Sequence, residues 1–62
     1  MPSPVRFAVV KKMLEQKGYT LHHISGSHHI FKKPGADPEN VPVHHNLVKA
    51  FYVKRIEKLP EA

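Results

Sequence analysis

The first third of the chain carries apolar residues at helical spacing, and their repeat runs through Val5, Val9 and Met13. Ser3 and Pro4 are typical of a helix start, because serine caps free N–H groups and proline has none to leave unpaired. Lys17 and Gly18 are typical of a helix end, where a cation and a left-handed residue are both favoured. The pattern predicts a first helix over about residues 4–17.

After this helix the period of the pattern changes from about four residues to two, and one side of the next segment carries Tyr19, Leu21 and His23. Such alternation is typical of a strand with one face on a core. Ser25 and Gly26 predict a turn to a second strand at residues 27–33, and the short connection predicts a hairpin. Residues 40–44 predict a short third strand, in which Pro42 indicates an edge position because proline cannot donate to a ladder.

Helical spacing returns after residue 46, and the apolar stripe consists of Val48, Tyr52, Ile56 and Leu59. Pro60 ends this helix. Two helices on one face of a small antiparallel sheet close a core and leave the other face exposed. The sequence therefore predicts an α+β fold with the order α-β-β-β-α and a three-stranded antiparallel sheet, as a single domain over residues 1–62.

The chain has 62 residues and no cysteine. A domain of this size buries only about 60% of its unfolded surface, and without thiols it has neither disulfides nor thiolate zinc sites. The sequence shows no secretory signal and no run approaching the roughly 20 apolar residues of a membrane span. We therefore expect a cytoplasmic protein without a membrane segment.

Ten Lys and Arg residues against five Asp and Glu residues give the chain a net charge of +5. This excess favours a polyanion such as a nucleic acid as the partner. The alternative is that the lysines only keep a small domain in solution.

Six histidines stand in three adjacent pairs, at positions 22/23, 28/29 and 44/45. Histidine, with an ordinary pKa of about 6.5, suits either proton step of acid–base chemistry at neutral pH. Side chains alternate along a strand, so His28 shares a face with Ile30 and Lys32. His29 then shares the other face with Phe31. If Phe31 is in the core, His28 lies on the open face, although a half-buried polar strand residue is the alternative interpretation of each histidine.

Three motifs follow one another along the chain: Lys11-Lys12-Met13-Leu14 with Gly18-Tyr19, Gly26-Ser27-His28-His29-Ile30-Phe31, and Val41-Pro42-Val43-His44. In this order and at this spacing they make the chain similar to the HicA (YcfA-like) toxin family over nearly its whole length. The resemblance implies a fold like the double-stranded-RNA-binding domain, ribonuclease activity on messenger RNA or other single-stranded RNA, and a HicB-like antitoxin that masks the site. It also implies that the histidine directly after Gly-Ser, His28, is catalytic, whereas His29 occupies a variable position.

The chain departs from the family pattern at the start of the last helix. Family members usually carry a Lys-x-Gly-Thr-Leu-like segment there, and this chain has Lys49-Ala50-Phe51-Tyr52-Val53. The boundary of that helix and any family contact made from this turn are therefore open.

Metal-free RNA cleavage needs a base for the 2′-hydroxyl proton, an acid for the leaving oxygen and positive charge around the phosphate. The candidates that assist His28 are His44, Ser27 and Gly26. His44 suits a second proton carrier, but a hydrogen bond to the start of the last helix is the alternative. The candidates for RNA binding are Lys11, Lys12, Lys32, Lys33 and Lys49. We expect no metal or cofactor, because adjacent histidines on a strand point apart and the chain has no cysteine.

Two other functions fit the same residues. A non-catalytic RNA-binding module would use the same basic surface. An interaction protein would use the exposed sheet face, or a sheet edge, for an antitoxin or for a homodimer.

Overall fold

The computed structural model describes residues 3–61. Its elements are β1 (Val5–Arg6), α1 (Phe7–Gln16), β2 (Thr20–Ser25), β3 (His28–Lys32), β4 (Glu39–Pro42), β5 (Leu47–Val48) and α2 (Ala50–Glu57). Strands β2, β3 and β4 form an antiparallel sheet with β3 in the middle, and β1 pairs with β5. The predicted α+β fold with a three-stranded antiparallel sheet is confirmed, and β1 and β5 are additions to it. No helix in this part of the chain is long and apolar enough to cross a membrane.

The core lies between one face of the three-stranded sheet and the two helices. Its buried apolar and aromatic side chains are Val10, Leu14, Tyr19, Phe31, Val41, Val48, Val53 and Ile56. Phe31 stands on the middle strand and is the largest of the fully buried side chains. Burial of such a side chain contributes roughly 1.5–3 kcal/mol to stability. Phe31 therefore fixes which face of the sheet the helices cover.

The first helix begins later than its apolar pattern predicts. The predicted start at residues 3–4 is wrong, since Val5 and Arg6 are extended and pair with β5. Arg6 takes the N-cap position without a side-chain hydrogen bond. The backbone N–H of Phe7 instead donates to the carbonyl of Asn46, at 2.8 Å. Asn46, which is far from α1 in the sequence, thus caps the first N–H group of the helix, in place of the predicted cap Ser3.

The last helix also begins later than predicted. Val48 lies in β5 rather than in the helix, and it is fully buried there. The helix α2 begins at Ala50 and buries Val53 and Ile56, whereas Tyr52 is half-buried. The predicted helical stripe is therefore wrong at Val48, whereas Ile56 is buried and Tyr52 and Leu59 pack against the core as predicted.

A tight turn at His45 and Asn46 reverses the chain before β5. Both residues have positive φ, 53° and 62°, which is the pattern of a type I′ turn. His44 and Leu47 exchange both backbone hydrogen bonds across it, at 3.0 and 2.9 Å. Histidine and asparagine are among the residues that adopt this left-handed conformation most readily. The turn makes Val48 a strand partner instead of the first residue of a helix.

Strand β2 contains a β-bulge. Leu21 pairs with Phe31 but His23 pairs with Ile30, so His22 is an extra residue on β2. Leu21 therefore faces the core, as predicted. His23 faces away from the core, so the strict alternation predicted for this strand is wrong beyond Leu21.

The third strand is confirmed over part of its predicted length. Strand β4 covers Glu39–Pro42 and forms one edge of the sheet, which agrees with the edge position that Pro42 indicated. Val43 continues it by donating its N–H to the carbonyl of Ser27 at 2.7 Å. His44 already belongs to the next turn.

Lys17 is buried, with only 7% of its surface exposed. It follows α1 directly, and Gly18, with a φ of 93°, then ends the helix as predicted. The ammonium group of Lys17 donates to the carbonyls of Glu57 (3.1 Å) and Leu59 (2.7 Å) and to the Glu61 carboxylate (3.3 Å). Glu57 is the last residue of α2 and Leu59 follows two positions later, at the end of the helix where unpaired carbonyls and the helix dipole favour a cation. Lys17 thus joins the ends of the two helices.

We predict that Lys17→Met lowers the free energy of unfolding by about 1–3 kcal/mol, because the two carbonyls lose their partly buried donor. Urea denaturation measures the change. Lys12→Met, the same substitution at an exposed position of α1, is the matched control and should shift the free energy by less than about 0.5 kcal/mol. Equal stability of the two variants would contradict the role of Lys17 as a cap.

Candidate functional site

His28 is the first residue of β3 and lies on the sheet face that the helices leave uncovered, here called the open face. Phe31 points into the core from the same strand, three positions further on, and side chains alternate along a strand. The predicted separation of His28 from Phe31 is confirmed, and the side chain of His28 is exposed. Its neighbours across the sheet are Ser25 on β2 and Pro42 on β4.

Gly26 and Ser27 form the turn that precedes His28. Gly26 has a φ of 58°, and a positive φ at the first loop position is the pattern of a type II′ hairpin turn. Apart from Gly26 itself and its two chain neighbours, no heavy atom lies within 4 Å of the point where a Cβ on Gly26 would stand. Ser27 is half-buried, and its carbonyl accepts the N–H of Val43. The turn thus leaves open space next to the start of β3, where His28 stands.

Asn40 orients the imidazole of His28 from the neighbouring strand. Its Oδ1 accepts a hydrogen bond from Nδ1–H of His28 at 3.0 Å. Because Nδ1 carries the hydrogen, Nε2 is the nitrogen that can accept a proton. Asparagine orients the histidine of some hydrolases in the same way. Sequence reasoning missed Asn40, although strand alternation next to the buried Val41 indicates that it faces away from the core.

His29 is a packing residue on the helix side of the sheet. Its ring centroid lies 4.5 Å from that of Phe7 at the start of α1. Its Nδ1–H donates to the carbonyl of Ser27 at 3.4 Å, and the side chain is half-buried. The two adjacent histidines of β3 therefore separate as the strand pattern predicted.

The five predicted RNA-binding lysines do not gather on one face. Lys32 pairs with Thr20 and shares the open face with His28. Lys11 and Lys12 belong to α1, which packs on the other face, and Lys49 is the N-cap residue of α2. Of the candidates, Lys32 is the one that the structure brings to the open face.

Lys33 is directed to the side of the sheet that carries Tyr19. Its Nζ lies 5.5 Å from the centroid of the Tyr19 ring, within the range of a cation–π interaction. Burial, and to a smaller extent the carboxylates of Glu39 and Asp37, raises the pKa of the Tyr19 hydroxyl above its ordinary value of 10.0. The ring therefore stays neutral at physiological pH, and the contact holds Lys33 apart from the open face.

His44 lies beyond the end of β4, and its backbone is paired with Leu47 across the turn. Its side chain is exposed. None of the side-chain hydrogen bonds among residues 3–61 involves His44, so the alternative of a bond to the start of α2 is not found. Its assistance to His28 stays a prediction.

The site is thus a surface histidine, oriented by an amide, on the open face of a small α+β fold. Residues 3–61 contain no group of three or more His, Cys, Asp or Glu side chains that could hold a metal ion. A family model described as "HicA toxin of bacterial toxin-antitoxin" matches residues 8–59. The chain belongs to this HicA toxin family. No curated protein and no solved structure matches the chain significantly.

We predict that the neutral imidazole of His28 carries its hydrogen on Nδ1, and that Asn40→Ala removes this preference because the accepting oxygen is lost. Long-range proton–nitrogen-15 NMR spectra distinguish the two tautomers by their nitrogen shifts. His45, which is exposed in the turn before β5, is the internal control in the same spectra. Unchanged His28 signals in the variant would contradict the orienting contact.

Proposed function

We propose that the chain is a metal-independent endoribonuclease that cuts messenger RNA in the cytoplasm and is neutralised by a HicB-like antitoxin. The observation that carries this proposal is the His28 side chain, which is exposed, bound by Asn40 and placed directly after the Gly26-Ser27 turn. Membership of a family of toxins from toxin-antitoxin systems supports it.

In the proposed reaction Nε2 of His28 acts as the general base and takes the proton of a ribose 2′-hydroxyl. The 2′-oxygen attacks the adjacent phosphorus and displaces the 5′-oxygen of the next nucleotide. The products are a 2′,3′-cyclic phosphate and a 5′-hydroxyl, which forms when the departing 5′-oxygen takes up a proton from a second acid group or from water. The imidazolium that forms on His28 is stabilised because Asn40 Oδ1 accepts from its Nδ1–H at 3.0 Å.

Lys32 is the cation best placed to hold the RNA. It lies four residues from His28 on β3, which corresponds to about 13 Å at the rise of an antiparallel strand. Lys32 is therefore suited to a phosphate some way along the strand of RNA rather than to the phosphate that is cut. This arrangement needs an extended substrate that crosses the open face.

The antitoxin is proposed to cover the same face. Ile30 contributes a half-buried apolar side chain there, opposite Asn40 on β4. The net charge of +5 favours an acidic partner. A protein seated on Ile30 would exclude RNA from His28 without any change in the toxin fold.

We predict that His28→Ala abolishes RNA cleavage and growth arrest, because the substitution removes the general base. The fold and the binding of the antitoxin should be retained, because the side chain of His28 is exposed. The measurement is the appearance of new RNA ends with the purified protein. Undiminished cleavage by this variant would overturn the mechanism. Absence of new ends with the wild-type protein, together with RNA binding, would favour the non-catalytic RNA-binding module.

His29→Ala is the matched control for this experiment, since it removes a histidine at the next position. It should keep cleavage per folded molecule but lower the free energy of unfolding by about 0.5–1.5 kcal/mol, because the aromatic contact with Phe7 is lost. Loss of chemistry without loss of stability in this variant would contradict the assignment of His28.

We predict that Lys32→Ala weakens RNA binding and lowers the slope of log affinity against log salt by about 0.7, the value for one phosphate contact on a single strand. Lys33→Ala removes the same charge one position away, but on the side that contacts Tyr19. Lys33→Ala should therefore change the slope of log affinity against log salt less than Lys32→Ala does. Equal effects of the two variants, measured by titration at several salt concentrations, would show that RNA does not follow the open face.

A further inference from the structure

A second histidine, His23, lies on the open face beside His28. The bulge at His22 shifts the register so that His23 stands opposite Ile30, and directly opposed residues in an antiparallel ladder point to the same side. Ile30 shares its side with His28, two positions before it on β3. Without the extra residue, His23 would share the core side with Leu21. The bulge is therefore what exposes His23.

The contact between the rings of His22 and His23 supports this orientation independently. Their centroids lie 5.1 Å apart, with an interplanar angle of 76°. Adjacent residues of a regular strand point to opposite faces, so their rings do not approach in this way. Both side chains are exposed. The bulge thus turns the two rings toward the same side.

The separation of His23 and His28 suits a pair of proton carriers. Ser25 pairs directly with His28, so His23 occupies the diagonal position on the adjacent strand. Diagonal neighbours lie about 7–8 Å apart, within reach of aromatic side chains. An in-line displacement needs one group at the attacking oxygen and one at the leaving oxygen, each within about 2.6–3.2 Å of its own oxygen. Two imidazoles at diagonal positions leave room for a phosphate between them.

We propose that His23 is the general acid of the cleavage reaction, an inference that rests on the proposed ribonuclease function. As the bond from phosphorus to the 5′-oxygen breaks, the imidazolium of His23 donates its proton to that oxygen. At the same time the bond from phosphorus to the 2′-oxygen forms, and Nε2 of His28 takes the 2′-hydroxyl proton. The protein gains one proton and loses one, so the step is balanced, and exchange with water restores both histidines.

His44, the second proton carrier considered from the sequence, and His22, the neighbour of His23, fit this role less well. His44 lies two residues past Pro42, the partner of His28, but the ladder with β3 has ended there and the backbone of His44 pairs with Leu47 instead. His22 is the bulged residue, which has no partner on β3 and lies one position further from His28 along the chain.

The test compares two substrates: an ordinary RNA oligonucleotide and the same oligonucleotide with sulfur in place of the bridging 5′-oxygen at the cleaved bond. Sulfur leaves as a thiolate and needs no proton, so an acid is dispensable for this substrate. His23→Ala and His23→Gln should slow cleavage of ordinary RNA by about 10²- to 10⁴-fold. Both variants should cleave the 5′-thio substrate at nearly the wild-type rate.

His22→Ala and His28→Ala are the matched controls. His22→Ala removes the adjacent histidine and should cleave both substrates at nearly the wild-type rate. His28→Ala removes the base and should be slow on both. All three side chains are exposed, so these variants leave the core intact.

Two results would overturn the assignment of His23 and leave the ribonuclease function standing: rapid cleavage of ordinary RNA by His23→Ala, or equal slowing on both substrates. The assignment would also be overturned if His22→Ala, and not His23→Ala, cleaved ordinary RNA slowly but the 5′-thio substrate at nearly the wild-type rate. Failure of the wild-type protein to cleave either substrate would overturn the ribonuclease function itself.

Discussion

The burial of Phe31 against the two helices is the interaction from which the arrangement of the molecule follows. Phe31 stands on the middle strand and is fully buried. Because side chains alternate along β3, this burial turns His28, Ile30 and Lys32 to the opposite face. The burial of one aromatic side chain in the core thus determines which way His28 and Lys32 point. A shift of β3 by one residue would exchange the two faces, so the core also protects the register of the site.

The order of the two helices and the three strands of the larger sheet could be predicted from the sequence, because it depends on local periodicity and on local signals such as Gly18. The starts of both helices could not, because they depend on contacts between segments far apart in the chain. Val5 and Val48 each fit a helical repeat, yet they pair with each other in β1 and β5. The carbonyl of Asn46 then takes over the capping of α1. Tertiary pairing overrides local preference at these positions.

Some features of the candidate site could likewise be predicted from local sequence, and others depend on contacts between strands. The face of His28 and its separation from His29 could be predicted, because both follow from alternation within a single strand. The contact with Asn40 requires the register between β3 and β4, and the position of His23 requires the bulge in β2. Neither the register nor the bulge has a signature in the residues concerned. Charge was a poor guide, since lysines that are close in sequence, such as Lys32 and Lys33, lie on different sides of the sheet.

The bulge at His22 has a second consequence, which concerns association. A three-stranded sheet exposes two edges that can pair with another chain. The bulge interrupts the regular ladder along β2, and Pro42 removes a backbone donor from β4. Both edges are therefore poor templates for further strands. The uncovered face of the sheet therefore lies between two edges that do not favour the addition of further strands.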